Sequence, residues 1–316
     1  MCPNTFKITV EDGTNLEVKL DKANKERIGI VHIFHGMAEH MGRYDLFVES
    51  LNQQGYDVIR HNHRGHGKDI IERERGHYDS MQIVAADAYE ILQTLYPERD
   101  GLPYIVLGHS MGSIIARKYV EMYPDTAQGL ILTGTGLFPK VKGNLMVIGM
   151  KLISLILGKR RRLRWVNNLA FKPFNKRIPD AKTESDWLST KKDEVNKYCE
   201  DPYCGFLMSN QAIYETIHEM MVTSRPSEIK KMNPDLPVLL ISGKEDPFGD
   251  YSKGIRRLGV TMKRNGVQHI TVQLYRNKRH EILFEEDHLQ TWNNMYDWIK
   301  KNILKKNKVS EHNDNE

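Results

Sequence analysis

The chain has 316 residues, 40% hydrophobic and 28% charged, which is enough apolar material for a sizeable core and excludes wholesale disorder. Its 46 Lys and Arg against 41 Asp and Glu leave a net charge of +5, an excess too mild to argue for nucleic acid. Three cysteines, Cys2, Cys199 and Cys204, exclude a disulfide scaffold and form no C-x-x-C zinc pair, so reduced thiols in a cytoplasmic protein are expected.

The start of the chain has no basic stretch followed by an apolar one, so no signal peptide is expected. Phe6–Val10 and Asn15–Leu20 alternate around Asp12-Gly13, the pattern of a β-hairpin. Ile28–Phe34 is an apolar run of the kind a buried strand shows. Residues 44–54 have helical spacing and stop at Gly55. Tyr56–Arg60 predicts a strand, 79–96 an amphipathic helix ended by Pro97, Tyr104–Gly108 a strand, Met111–Tyr123 a helix and Leu130–Thr133 a strand. This alternation predicts a parallel sheet with helices on both faces. It breaks over 137–230, which predicts helices and loops. It returns with a strand over Leu236–Ser242, a helix over 251–265, a strand over Ile270–Tyr275 and a long helix over 284–304. The expected organisation is an α/β core over 1–136 and 231–305, a helical insertion over 137–230 and a polar tail over 306–316.

Gly108-His109-Ser110-Met111-Gly112 is a G-x-S-x-G placed between a predicted strand and a predicted helix. A nucleophile on so sharp a turn leaves no room for side chains at the flanking glycines, and the helix N-terminus favours a developing oxyanion. Ser110 is therefore the candidate nucleophile. A serine needs a general base oriented by a carboxylate, and in this architecture acid and then histidine follow the serine. Asp246 follows the strand ending at Ser242, and Pro247 would stiffen the turn that aims it; Glu245 and Asp250 are the rival acids. His280 follows the strand ending at Tyr275. His218, His269, His288 and His312 fit less well, lying in the insertion, at a strand start, in a helix and in the tail. His35-Gly36-Met37 follows the strand 28–34, so the backbone N–H groups of Met37 and Met111 are the candidate oxyanion donors. The loop Asn62-His63-Arg64-Gly65-His66-Gly67 has no ligand geometry for a metal and is expected to brace the site. No metal or cofactor is needed.

With these residues together, the sequence resembles the α/β-hydrolase superfamily, in its monoacylglycerol lipase and lysophospholipase branch, grouped with serine aminopeptidase-like hydrolases. The resemblance covers about 28–135 and 236–303. It is carried by His35-Gly36-Met37-Ala38-Glu39-His40 with Arg43-Tyr44, Arg64-Gly65-His66-Gly67, the serine motif, Asp246-Pro247 and His280-Glu281. Asn62 and Asp69 depart from the usual Asp and Ser of that family. The resemblance implies an eight-stranded, mostly parallel sheet, a Ser110–Asp246–His280 triad and a lid formed by about 137–230.

Between Lys140 and Arg177 stand 11 basic residues and no carboxylate, adjoining the 13-residue apolar run Leu145–Leu157, which is too short to span a bilayer. An apolar face beside a basic cluster is what binds an anionic lipid surface, so 137–177 is expected to dock transiently on membranes. The alternative is an apolar face packed on the core with a solvated basic edge. No reading motif for nucleic acid accompanies it. The expected activity is hydrolysis of single-chain lipid esters. The alternatives are a short-chain carboxylesterase, an aminopeptidase or a non-catalytic binding member of the fold.

Overall fold

The computed structural model describes residues 5–305 except Asp100 and Asp180. The strands are β1 (Thr5–Thr9), β2 (Asn15–Asp21), β3 (Gly29–Phe34), β4 (Tyr56–His61), β5 (Tyr104–His109), β6 (Gly129–Thr133), β7 (Val238–Gly243) and β8 (Ile270–Tyr275). Among the described residues they form one eight-stranded sheet in the order β1-β2-β4-β3-β5-β6-β7-β8. β2 pairs antiparallel with β1 and β4, and every other pairing is parallel.

Helix α1 (Asp45–Gln54), preceded by a 3-10 turn over Met41–Tyr44, joins β3 to β4; α2 (Met81–Leu95) and α3 (Met111–Met122) flank β5. Between β6 and β7 run α4 (Lys140–Leu157), α5 (Arg164–Phe171), α6 (Lys192–Glu200), α7 (Asn210–Val222) and α8 (Pro226–Ile229). α9 (Lys253–Arg264) precedes β8, and α10 (His288–Ile299) follows it.

The period-2 geometry of a strand sends alternate side chains to opposite faces. Val31, Ile33, Ile105, Leu107, Ile131, Leu239 and Ile241 pack with α1 and α10, through Phe47, Leu51, Trp292 and Met295. Ile30, Phe34, Val106, Leu130, Leu132, Val238 and Leu240 pack on the other face with α2, α3 and α9 and with the insertion. Both faces of the inner strands are apolar because both are covered.

The predicted helix over 284–304 starts later, at His288, and ends in a π-helical turn over Lys300–Leu304. The reason is a pair of contacts, one of them long-range: the Glu285 carboxylate accepts N–H bonds from Arg279 (2.7 Å) and from Thr190 (3.1 Å), which holds 281–287 in turns. The predicted tail over 306–316 and Cys2 lie outside the described residues.

Helix α4 has two apolar faces. Its inner face packs on α7, and a Cβ at Gly143 would stand 2.3 Å from the Met221 sulfur. Its outer face leaves Val141, Leu145, Ile148, Leu152 and Ile156 exposed, Ile156 to 76%. Spacings of three and four put these five on one stripe. Among the described residues no helix is long and apolar enough to cross a membrane.

Candidate functional site

Ser110 sits between β5 and α3 at φ +53, ψ −118, a conformation a non-glycine residue adopts only when its surroundings impose it. The imposing contacts are visible at the flanking glycines. A Cβ at Gly112 would stand 2.0 Å from the carbonyl oxygen of Phe34, and one at Gly108 would stand 2.3 Å from that of Gly112. The start of α3 is thus pressed against the end of β3. The Ser110 N–H is held by the Thr133 carbonyl (3.0 Å), and the Ser110 carbonyl accepts from Ser113 N–H (2.9 Å).

The loop after β7 brings Asp246 to His280. The His280 Nδ1 to Asp246 Oδ1 distance is 3.0 Å, and both groups are buried. Burial alone would raise the Asp246 pKa, but the His280 ring, the Ser242 hydroxyl (3.0 Å) and the Phe248 N–H (2.9 Å) hold it below the usual carboxylate value. An ionised Asp246 fixes the proton on His280 Nδ1. His280 Nε2 is then a buried acceptor, with no hydrogen-bond partner among the described residues. Gly134, at φ +53, makes room for the ring, since a Cβ there would lie 2.9 Å from it. Trp187 of the insertion and Phe248 cover it, with ring centroids 4.6 and 5.4 Å away. The rival acids are placed elsewhere: Asp250 faces Arg257 at 3.5 Å, and no hydrogen bond or ion pair joins Glu245 to His280. His218 lies against Glu219, and His288 Nδ1 against its own helix start at Glu285 O. His312 lies outside the described residues.

The loop after β3 is fixed on every side. His35 Nε2 accepts from His63 N–H (3.0 Å), so its proton is on Nδ1, which donates to the Gly36 carbonyl (2.7 Å). That bond orients the peptide plane whose N–H belongs to Met37. Ala38, at φ +52, donates its N–H to His66 Nε2 (3.2 Å) and accepts at its carbonyl from Gly205 N–H (2.9 Å) and Tyr198 O–H (3.0 Å), both in the insertion. The loop over 62–67 braces this arrangement. Asn62 accepts from Met41 N–H (2.9 Å), and Arg64 makes a bidentate pair with Asp87 (2.7 and 2.6 Å). Six histidines around this loop, His32, His35, His61, His63, His66 and His109, are fully buried, and burial depresses all six pKa values.

Ser110, His280, Met37 and Met111 line one cavity of about 1010 Å³, at the upper end of the ~300–1,000 Å³ usual for small-molecule sites. Its remaining wall is largely the insertion: Met146, Met150 and Ile153 of α4, Phe171, Phe174, Trp187, Phe206, and Ile213, Ile217 and Met220 of α7. The wall is therefore largely apolar, with charged side chains such as Lys142, Arg164, Arg177 and Glu184 also lining it.

One trio among the described residues, His40, Asp201 and Cys204, brings metal-ligand atoms within 4.8 Å of one another. The hydrogen bonds oppose a metal there. His40 Nδ1 accepts from Gly42 N–H (3.1 Å), so Nε2 carries the proton and donates it to Asp201 (2.8 Å); burial raises the Cys204 thiol. The pair is a staple between the β3 loop and the insertion.

The arrangement has two features the motifs alone do not reveal. The insertion contributes Trp187, Tyr198 and most of the cavity wall, with no signal beyond its aromatic content. Glu39, Arg43 and Glu281 form a buried ion cluster beside the serine; all three stand in the segments that carry the resemblance, but only the i, i+4 spacing of the first two hints that any of them pair.

A sheet of this order, a serine at the strained β5–α3 turn and a histidine after β8 define the α/β-hydrolase fold. Residues 25–287 match the family model described as serine aminopeptidase, S33, and the chain belongs to that family. It is 26% identical over 275 residues to a monoglyceride lipase of Rattus norvegicus, covering 86% of this chain and 81% of that protein. The crystal structure of a thermostable carboxyl esterase from Bacillus coagulans superposes with a TM-score of 0.85 at 26% identity, covering 95% of this chain and 98% of the other. A soluble variant of monoglyceride lipase from Saccharomyces cerevisiae superposes with a TM-score of 0.75 at 18% identity, covering 96% of each chain.

Proposed function

We propose that this chain is a serine ester hydrolase that cleaves single-chain lipid esters, of monoacylglycerol lipase or lysophospholipase type. The observation that carries the reading is the buried, unpartnered Nε2 of His280 in the same apolar-walled cavity as Ser110. In this reading His280 takes the proton of Ser110 as the hydroxyl oxygen attacks the acyl carbonyl. The N–H groups of Met37 and Met111 hold the oxyanion, and Asp246 stabilises the imidazolium. His280 then protonates the leaving alcohol and activates the water that releases the fatty acid. The relatives named monoglyceride lipase support the substrate class, as does a wall of methionine and aromatic side chains suited to an acyl chain.

The similarity to a carboxyl esterase favours a second reading, hydrolysis of short-chain esters. A p-nitrophenyl ester series separates the two. Rising kcat/KM from C4 to C12 is expected, and a maximum at C2–C4 with no turnover of monoacylglycerol would establish the second. Ser110→Ala is expected to abolish both turnover and labelling by a fluorophosphonate probe. Parent protein that neither labels nor turns over any ester would remove the enzyme reading altogether.

The exposed stripe of α4, with Trp165 and Leu169 also exposed on α5 and basic residues at its edges, supports docking of this lid on an anionic lipid surface. Co-sedimentation with vesicles containing anionic lipid, weakened by added salt and by Ile148→Glu, is the expected result. Equal, weak binding to neutral and anionic vesicles would refute it.

A further inference from the structure

We propose that Arg43 is a positioning residue that ties the oxyanion loop to the histidine loop, so that the oxyanion donor and the general base of the proposed reaction hold a fixed separation. The inference rests on the roles given above to Met37 and His280 and extends to residues outside that machinery.

The geometry is continuous from one loop to the other. On the oxyanion side, the Glu39 carboxylate accepts from the Gly36 N–H, one residue before Met37, and from the Tyr44 hydroxyl (2.9 Å). A Cβ at Gly36 would lie 2.6 Å from that carboxylate and 3.3 Å from Ser110 Cβ, so the contact is made at the nucleophile itself. Arg43 Nη1 donates to Glu39 (2.6 Å) and to Glu281 (2.5 Å), and Nη2 donates to the second oxygen of Glu281 (2.9 Å). Glu281 follows His280 directly. The guanidinium is held between the rings of Tyr198 and Phe284, at 5.0 and 5.2 Å from their centroids. The carboxylates are 3% and 2% exposed, which keeps the fork dry and its geometry unique.

A lone ion pair would serve to neutralise one buried charge. Here one guanidinium serves two carboxylates, one 4 residues before it and one 238 residues after it, which lysine, a point charge without a fork, cannot reproduce. The two carboxylates are also held differently. Burial pushes Glu281 up, whereas Arg43, His109 and His35 overcome burial at Glu39 and bring it down to about 2. Glu39 is anchored on the Gly36 N–H, and Glu281 is the end through which the histidine loop is drawn to the guanidinium.

Arg43→Ala would strand two buried carboxylates and risks misfolding, so the test uses Glu39→Gln, Glu281→Gln, the double variant and Arg43→Lys. Active sites are counted by fluorophosphonate titration, and kcat, KM and the pH profile are measured on p-nitrophenyl butyrate. Each single variant is expected to lower kcat per titrated site by about 10-fold, and Arg43→Lys by about 100-fold, the scale on which small misplacements of catalytic groups act. KM is expected to stay within about twofold in these variants because Glu39 and Glu281, although they line the cavity, are each only 2% exposed, and the apolar wall that would hold an acyl chain is built largely by the insertion. The double variant is expected to fall no further than about threefold below the worse single, because both break the same link. A double variant equal to the product of the singles would overturn the coupling. Variants that lose only melting temperature, with kcat per site and the acidic limb of the profile unmoved, would reduce the cluster to a structural one and overturn the inference. Parent protein that does not label with fluorophosphonate would instead sink the hydrolase reading, a distinct outcome.

Discussion

Asp246→Asn is expected to lower kcat by about 10³-fold with KM nearly unchanged. The size follows from the hydrogen bonds around the carboxylate. Among the described residues, its Oδ1 receives two donors, His280 Nδ1 and Phe248 N–H, whereas Oδ2 receives only the Ser242 hydroxyl, which has a second acceptor in the Gly243 carbonyl at 3.2 Å. An asparagine can therefore keep its oxygen toward His280 and its amide toward a serine free to turn away. The imidazole keeps its tautomer, and what is lost is the charge opposite the imidazolium. At an effective dielectric constant near 20 and about 4 Å, that charge is worth about 4 kcal/mol, or roughly three decades in rate. Asp250→Asn, which alters a carboxylate facing Arg257, is expected to change kcat by less than about threefold. Steady-state kinetics on a short-chain ester checks both. If Asp246→Asn kept more than a tenth of parental kcat, Asp246 would not be the orienting acid.

Acid is expected to unfold the protein over a narrow range below pH 6.5. Burial, reinforced at several sites by neighbouring imidazoles, holds His61 and His109 down to about 3 and His66 to about 4, with His32, His35 and His63 also well below the ordinary 6.5. Between 6.5 and these depressed values the unfolded chain binds protons that the folded chain refuses. Stability is present above 6.5 and is lost as pH falls. One unit below 6.5 each such histidine has cost about 1.4 kcal/mol, and six have cost about 8 kcal/mol, against a total stability of about 5–15 kcal/mol. Glu121 acts in the opposite sense. Burial pushes it up to about 7, so on folding it takes up a proton between 7 and its ordinary 4.5 and offsets about 2 kcal/mol at pH 5.5. The net loss corresponds to a fall in melting temperature of more than about 10 °C between pH 7.5 and 5.5. Thermal unfolding followed by circular dichroism measures it, and a melting temperature constant across that interval would contradict the neutral burial of the cluster.

The parts of this molecule legible in its sequence are those governed by sterics and periodicity. The serine turn is one, because Gly108 and Gly112 each lie where a Cβ would meet backbone. The strand order's parallel core is another, because runs such as Val238–Ile241 are apolar on both faces. Chain order and a rigid turn pointed to Asp246 over Asp250, and the fold brings Asp246 to 3.0 Å from His280. What stayed hidden depends on contacts distant in sequence. Nothing near Glu285 announces that Thr190, 95 positions away, takes its carboxylate and delays the last helix. Nothing in the apolar run of α4 tells its inner face from its outer one, since both are apolar and only packing on α7 separates them. The Glu39–Arg43–Glu281 cluster is hidden for the same reason, its members being ordinary surface residue types until the fold encloses them.

The insertion between β6 and β7 also has a consequence for how the chain assembles. Leu130 pairs with Val238, so joining these adjacent strands closes a loop over the whole insertion. At ~0.6 kcal/mol per doubling of loop length, this pairing costs about 2 kcal/mol more loop-closure entropy than a connection of about ten residues would. The segments from β3 to β6, which carry the Met37 loop and the serine turn, are contiguous and close shorter loops, the longest of them joining Ile30 to Tyr104. Asp246 and His280 both lie beyond the costly junction. The weakest seam of the sheet in entropic terms therefore runs between Ser110 and the acid and base proposed for it. A molecule that opens there keeps a formed serine turn with neither Asp246 nor His280 beside it.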